Sequence, residues 1–303
     1  LLFFLTGHLL ESTVWPFEIA HEHRNYLPMY GILLILLFYL LYPLKFTDTL
    51  RLRQTVAVLL VGLFAFNTFS RASSWANPYD LFHAEVEHHP NSAIVNGEMG
   101  AIYSNMFTPD QNGMEMYYRF ARQHFEKAVD LDKNDTKPLF GLIFLNANRG
   151  KIAEPEWIAT LKNRLENAPY AAVTSDKLLT LTRCQLGGNC KLSNIEFEGL
   201  LQAALRNQTL IGSNRAKVLY AQSSYLINVA HDYPDALDVM RQMIQVAPAE
   251  LAYRLPLINF LTALQRFDEA KLELALLKRM DTSREYNKEI AEQEKILSGH
   301  DKH

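Results

Sequence analysis

A basic surplus is missing from this sequence: 30 lysines and arginines stand against 33 aspartates and glutamates, a formal net charge of -3. Nucleic-acid binding needs a basic stripe to neutralise phosphates, so nucleic acid is excluded as a partner. Cysteine is nearly absent too. The 303 residues hold two, and two cysteines alone do not close a metal site that takes four ligands. The signature of a secretory signal is also lacking, with no basic n-region and no small-residue cleavage motif. Residues 1–5 instead open the chain on an apolar stretch too short to cross a bilayer. We read it as the tail of a span that begins upstream.

What is present is unevenly placed. Hydrophobic residues make up 49% and charged ones 21%, averages that suit a soluble globular protein. Up to Arg71, however, Leu, Phe, Val and Tyr dominate, whereas charges of both signs are interspersed beyond it. Residues 29–44 (MYGILLILLFYLLYPL) carry no charge and no amphipathic period; a helix apolar all round belongs in lipid or in a large core. With Leu27 and Pro28 the segment approaches the ~17–25 residues of a spanning helix. Residues 55–69 (TVAVLLVGLFAFNTF) form the second such segment, extended by Gln54 and Ser70. Spans are therefore expected at about 28–44 and 54–70, closing a membrane domain at 1–72. The short link between them carries Lys45, Arg51 and Arg53, and basic short loops mark the cytoplasmic side. That orientation places the loop 7–28, and everything after Arg71, on the extracytoplasmic side.

The loop 7–28 is dense in groups that do chemistry: His8, Glu11, Glu18, His21, Glu22, His23, Arg24 and Tyr26. Ionisable groups at a membrane boundary are costly and usually face a cavity or a partner. A His-x-His pair, His21 and His23, lacks the further ligands of a zinc pattern. Two readings stay open. In one, the loop is an interfacial helix whose charges sit among lipid headgroups, with Trp15 and Tyr26 at headgroup level. In the other, Arg24, helped by a histidine, holds a phosphate or carboxylate through paired hydrogen bonds, and Glu22 orients it or acts as acid or base.

The run Glu22-His23-Arg24-Asn25-Tyr26-Leu27-Pro28, preceded by His8 and Glu11-Ser12-Thr13, resembles a segment of the bacterial multi-spanning tetratricopeptide proteins related to the TMTC-type protein O-mannosyltransferases. Those proteins join a membrane domain of the GT-C glycosyltransferase type to a C-terminal repeat array, the order of parts found here. The resemblance implies a polyprenyl-phosphate sugar as donor substrate. It makes Glu22, Arg24, Tyr26, His21, His23, His8 and Glu11 candidates for the lipid-phosphate or sugar site. GT-C enzymes generally place their catalytic acid in the first extracytoplasmic loop, for which this chain has no counterpart. No catalytic residue is therefore assigned within it. The location implied is the bacterial inner membrane, with the repeats on the periplasmic side.

Beyond the membrane portion the sequence repeats. Tyr233-Pro-Asp-Ala236 and Phe267-Asp-Glu-Ala270 lie 34 residues apart, the tetratricopeptide period. Met240, Met243, Val246 and Pro248 follow the first copy; Leu274, Leu277 and Met280 follow the second. An earlier unit places Met99, Gly100 and Tyr103 on a first helix and Ala121, Phe125, Ala128 and Leu131 on a second, with residues 108–113 lengthening the turn between them. Further hairpins are expected near 136–167 and 176–207. His88 and His89 precede a helix-ending proline and read as solvated or capping rather than metal-bound. The charged stretch 283–303 reads as a terminal cap, because an open solenoid end needs a polar outer face. The expected fold class is all-α: transmembrane helices followed by a tetratricopeptide-like α-solenoid of five to six irregular hairpins in domain 73–303.

Cys184 and Cys190 bracket Gln-Leu-Gly-Gly-Asn, whose glycines allow a tight reversal. A disulfide suits an oxidising side of the membrane; two free thiols are the alternative. The function expected is that of a membrane glycosyltransferase-like protein whose repeats bind a polypeptide acceptor. The competing expectation is a non-enzymatic membrane-anchored scaffold for envelope or surface-structure assembly. A surface-polysaccharide polymerase or ligase shares the lipid-phosphate chemistry but not the Glu-x-Arg-x-Tyr-Leu-Pro pattern. Partners are the lipid bilayer and a protein or peptide.

Overall fold

Apolar residues in unbroken succession leave a helix no polar face, and the first described helix and the middle of the second are built that way. The computed structural model describes residues 26–41, 50–106 and 114–299. The protein is all-α, with fourteen α-helices and no strand among the described residues. It divides into two compact units, Leu1–Pro78 and Tyr79–His303.

The first unit contains α1 (Tyr26–Leu41) and α2 (Leu50–Trp75), which pack on each other. Ile32, Ile35 and Leu36 of α1 and Val56 and Leu60 of α2 line a shallow groove of about 420 Å³ between them. Among the described residues, Arg51–Ser70 in α2 is the one stretch long and apolar enough to cross a membrane, and none of it is buried. At 1.5 Å per residue the 26 residues of α2 reach about 39 Å, against ~30 Å of bilayer hydrocarbon. The apolar part of α1, Tyr30–Tyr39, is shorter than a span, and residues 42–44 of the expected first span lie outside the described residues. Arg51 and Arg53, read from sequence as part of the link, instead belong to α2. Leu-Arg-Leu-Arg-Gln contains only good helix formers, so nothing halts the helix there. Hydroxyls within α2 are satisfied internally: Thr55 Oγ1 donates to the Arg51 carbonyl and Ser73 Oγ to that of Phe69, both at 2.9 Å.

The second unit opens with α3 (Pro78–His88) and α4 (Ala93–Met106). It continues with α5 (Met114–Leu131), α6 (Lys137–Ala147), α7 (Pro155–Asn167) and α8 (Ala172–Leu186). Then come α9 (Asn194–Arg206), α10 (Gly212–Tyr225) and α11 (Tyr233–Val246). The last are α12 (Arg254–Ala263), α13 (Phe267–Met280) and α14 (Asn287–Gly299). Packing follows an order. α4 contacts α6, α6 contacts α8 and α8 contacts α10, while α7 contacts α9 in a second row. Consecutive pairs α4–α5, α10–α11 and α12–α13 pack closely as well. The expected hairpins near 136–167 and 176–207 correspond to α6–α7 and α8–α9, whose second members both end at the expected residues to within one. The expected turn 108–113 lies outside the described residues.

The 34-residue repeat is expressed as register. α11 begins at Tyr233 and α13 at Phe267, and the alanines four positions into each, Ala236 and Ala270, are fully buried. Met240, Met243, Leu274 and Leu277 are buried behind them, as are Met99, Tyr103, Ala121, Phe125 and Ala128 in the earlier unit. Leu131 and Met280 depart from the pattern. Each is the last residue of its helix and is exposed.

Two cores run through this unit. One extends from Met99 to Tyr225 and the other from Ala216 to Leu297. They meet at α10, which is buried on both faces. Val218, Ala221 and Tyr225 join the first core, while Ala216 and Leu219 join the second. At ~100° per residue these two sets lie on opposite sides of the helix. The polar Ser223 survives there because its hydroxyl donates to the Tyr220 carbonyl at 2.9 Å. The terminal α14 covers the second core with Ile290 and Leu297.

Candidate functional site

Most of the residues singled out from sequence fall in one place. His8, Glu11, His21, Glu22, His23 and Arg24 lie outside the described residues, and Tyr26 is the first residue of α1. Cys184 and Cys190 are bonded to each other, with their Cα atoms 5.2 Å apart. No group of three or more metal-capable side chains occurs among the described residues. His88 ends α3 and, like His89, is exposed.

The described residues contain a pocket that the sequence reading missed. It lies where α4 passes α6, and it is built around one ring. Phe125 of α5 reaches up between Gly100 of α4 and Gly141 of α6. A Cβ at Gly100 would stand 2.7 Å from the ring, and one at Gly141 2.6 Å. Both glycines are therefore required for the ring to lie there. Gly97 and Ala101 of α4 keep the space above the ring open, and Pro138 and Phe144 of α6 form the opposite wall, enclosing about 160 Å³. That is well below the ~300–1,000 Å³ of small-molecule sites. It is room for a single apolar side chain.

The rim is polar and of mixed sign: Glu98, Asp135, Lys137 and Lys177. Asp135 Oδ1 accepts from the Lys137 amide at 2.9 Å, which fixes the approach to α6. Pro138 then fits the first turn, where no amide donor is needed. The hydroxyls of Thr136 and Thr174 meet at 2.9 Å in a buried bond that joins the starts of α6 and α8. Along the same row, Lys217 of α10 pairs with Asp176 of α8 at 2.6 Å. A sequence signal for the pocket existed. Gly97, Gly100 and Gly141 interrupt helical patterns at a cost of ~1 kcal/mol each relative to alanine, and such glycines usually mark a close approach.

Beside the pocket, α3, α4 and α5 share an aromatic cluster. The Tyr103 ring lies 6.0 Å from Tyr79, 5.2 Å from Phe120 and 5.7 Å from His124. Burial, with Tyr79 beside it, pushes the Tyr103 phenol up to about 12. His124 Nδ1 stands 3.0 Å from Asn96 Oδ1. Asn96 donates its amide protons to the Pro90 and Ser92 carbonyls at 2.9 and 2.8 Å, so its oxygen accepts and the imidazole carries a proton on Nδ1. Burial lowers the His124 pKa, and the charges of Lys127 and His83 lower it further.

A pH dependence follows from that shift. The folded chain binds fewer protons at His124 than the unfolded chain just below the ordinary histidine value of 6.5. Stability contributed by this site is thus present above that value and is lost as pH falls through it. Urea titrations at pH 7.5 and 5.5 should show a less stable second unit at the lower pH. His124→Asn keeps an amide donor toward Asn96 but does not titrate, and it should shrink the difference. An unchanged difference in that variant would remove His124 as its source.

Compared with known proteins, the chain matches no protein-family model and no curated protein sequence.

Proposed function

We propose that this chain is a membrane-anchored, tetratricopeptide-like adaptor, held in the bilayer by α2 and binding a polypeptide on the face formed by α4, α6 and α8. The observation that carries the reading is the pocket over Phe125, whose size suits one apolar side chain and whose mixed-sign rim suits a peptide backbone and its neighbouring polar groups. Serial contact of alternate helices, with α11 and α13 in a 34-residue register, is what stacked hairpins produce when each buries its apolar face on the next. The exposed apolar surface of α2 supports the anchor, because apolar area of this size is stable only out of water. Arg51 and Arg53 at its start favour a cytoplasmic N-terminal end. The Cys184–Cys190 bond supports an oxidising compartment for the repeats.

Two measurements test this reading. Carbonate extraction should leave the chain in the membrane pellet, and replacing residues 56–69 with a polar linker should release it. A photo-crosslinker at Ile94, a pocket residue that is 65% exposed, should trap a discrete polypeptide in native membranes. Gly97→Leu fills the pocket from a position whose Cβ meets only ordinary contacts at 3.9–4.0 Å, and it should abolish the adduct. An adduct of undiminished yield in that variant would rule out the pocket as the anchor.

A second reading, transfer of sugar from a polyprenyl-phosphate donor to the bound polypeptide, is favoured by one placement. Tyr26, Leu27 and Pro28 form the first turn of apolar α1, and in the sequence Glu22 and Arg24 come shortly before that helix N-terminus, the end that attracts phosphate. Arg24→Ala should weaken donor binding if this activity is present and leave peptide crosslinking at Ile94 unaltered if it is not.

A further inference from the structure

We propose that the edge of the second unit formed by the α6–α7 and α8–α9 turns docks on an anionic lipid surface; this rests on the membrane-anchored reading above. The two turns are joined: Lys191 Nζ donates to the Gly150 carbonyl at 3.1 Å, and Gly150 holds a left-handed φ of +66°. Around that junction cations outnumber their partners. Arg149 and Lys151 both lie over the Tyr118 ring, at 4.2 and 5.9 Å from its centroid. Arg149 has one acid, Glu115 at 2.7 Å. Among the described residues no carboxylate lies within ion-pair distance of Lys151 or Lys191.

The neighbouring acids are engaged elsewhere. Glu154 takes two hydrogen bonds from Arg122, at 2.6 and 3.1 Å. Glu196 is held in the capping box of α9 by the Ser193 amide and hydroxyl. Glu156, in the first turn of α7, and Glu198, in α9, are the remaining exposed acids near these turns.

Two isoleucines stand beside these cations. Ile152 is 63% exposed and Ile195 86% exposed. Neither protrudes from a loose loop. The backbone at Ile152 is fixed by Asn146, whose amide donates to its carbonyl at 2.9 Å. The turn ahead of Ile195 is closed by the Cys184–Cys190 bond and by Gln185, which binds Leu192 through both its amide groups, at 2.8 and 3.1 Å. A rigid edge with exposed branched aliphatics between lysines and an arginine matches the interfacial layer of an anionic bilayer, where acyl chains receive the aliphatics and phosphates the cations. Covalent geometry favours the encounter. Only Ala76 and Asn77 separate α2 from α3, so an anchored array meets the surface at high effective concentration and weak contacts suffice.

The test uses the full chain reconstituted into phosphatidylcholine vesicles with and without 30% phosphatidylglycerol. Carbonate resistance is scored separately, and amide hydrogen exchange is followed at residues 148–153 and 187–195. In the anionic vesicles these segments should exchange about tenfold more slowly than in neutral ones. Lys151→Glu with Lys191→Glu should erase the difference while carbonate resistance persists. Equal exchange in both lipids by a carbonate-resistant chain overturns the docking proposal and leaves the anchor standing. Extraction of the chain by carbonate overturns the anchor, and the docking proposal with it.

Discussion

Gly100→Ala and Gly141→Ala are each expected to destabilise the second unit by about 2 kcal/mol or more, whereas Gly97→Ala should stabilise it by about 0.5–1 kcal/mol. All three sit within helices on the same side of the array, so helix propensity alone gives all three the same sign. Packing separates them. At Gly97 the new methyl meets Pro138 Cγ at 3.9 Å and Ala128 Cβ at 4.0 Å, ordinary van der Waals distances. At Gly100 it meets three Phe125 ring atoms at 2.7–2.9 Å, and at Gly141 three at 2.6–3.0 Å. The ring cannot move away from one glycine without pressing on the other, so the overlap must be relieved by backbone shifts. Chemical denaturation of the three variants measures the signs directly. Phe125→Leu should couple to either alanine: the double variant should lose less than the sum of the single losses, because the shorter side chain removes the clash. Strict additivity would show that the glycines act independently of the ring.

Legibility from sequence followed the physics of each element. The apolar core of α2 and the paired starts of α11 and α13 were readable, since unbroken hydrophobicity and a fixed 34-residue period are local signals. The helix ends were less so. Arg51 and Arg53 look like loop residues to a charge-based reading, yet nothing in their neighbourhood breaks a helix. The α10 helix is quiet for a different reason. Because Val218 and Ala221 face one core while Ala216 and Leu219 face another, its apolar residues form no single stripe. The pocket over Phe125 was hidden because it depends on contacts among three helices, although the glycines that permit it were visible as costly exceptions. The ionisable segment ahead of α1 drew the functional reading because charge beside an apolar run is conspicuous; a pocket made of glycine, proline and one ring is not.

Arg164→Met should cost about 3–5 kcal/mol, the usual consequence of breaking a buried charged arrangement from one side. Arg164 is 5% exposed, and its guanidinium closes the C-terminal end of α5 from α7. Nη1 donates to the Asp132 and Asp135 carbonyls at 2.8 and 2.6 Å, and Nη2 to that of Val129 at 2.7 Å. Helix ends leave their last carbonyls without partners, and here a cation also meets the negative end of the helix dipole. Burial lowers its pKa, opposed by the nearby Asp132, Asp135 and Asp130 carboxylates, and an arginine keeps its charge at neutral pH under such a shift. Methionine preserves the apolar stem but strands three carbonyls in a dry site. Arg164→Lys keeps the charge yet lacks the planar fork that reaches carbonyls on separate residues, so it should recover only part of the loss. The two losses should change little between 50 mM and 500 mM salt, because buried interactions are weakly screened. The exposed pair Arg206–Glu166, at 2.8 Å, provides the contrast: its removal should have a small effect that salt erases. If Arg164→Met unfolds no more easily than the native chain, the carbonyls at the end of α5 must find water instead, and the joint between the first two hairpins is wetter than the geometry of Arg164 requires.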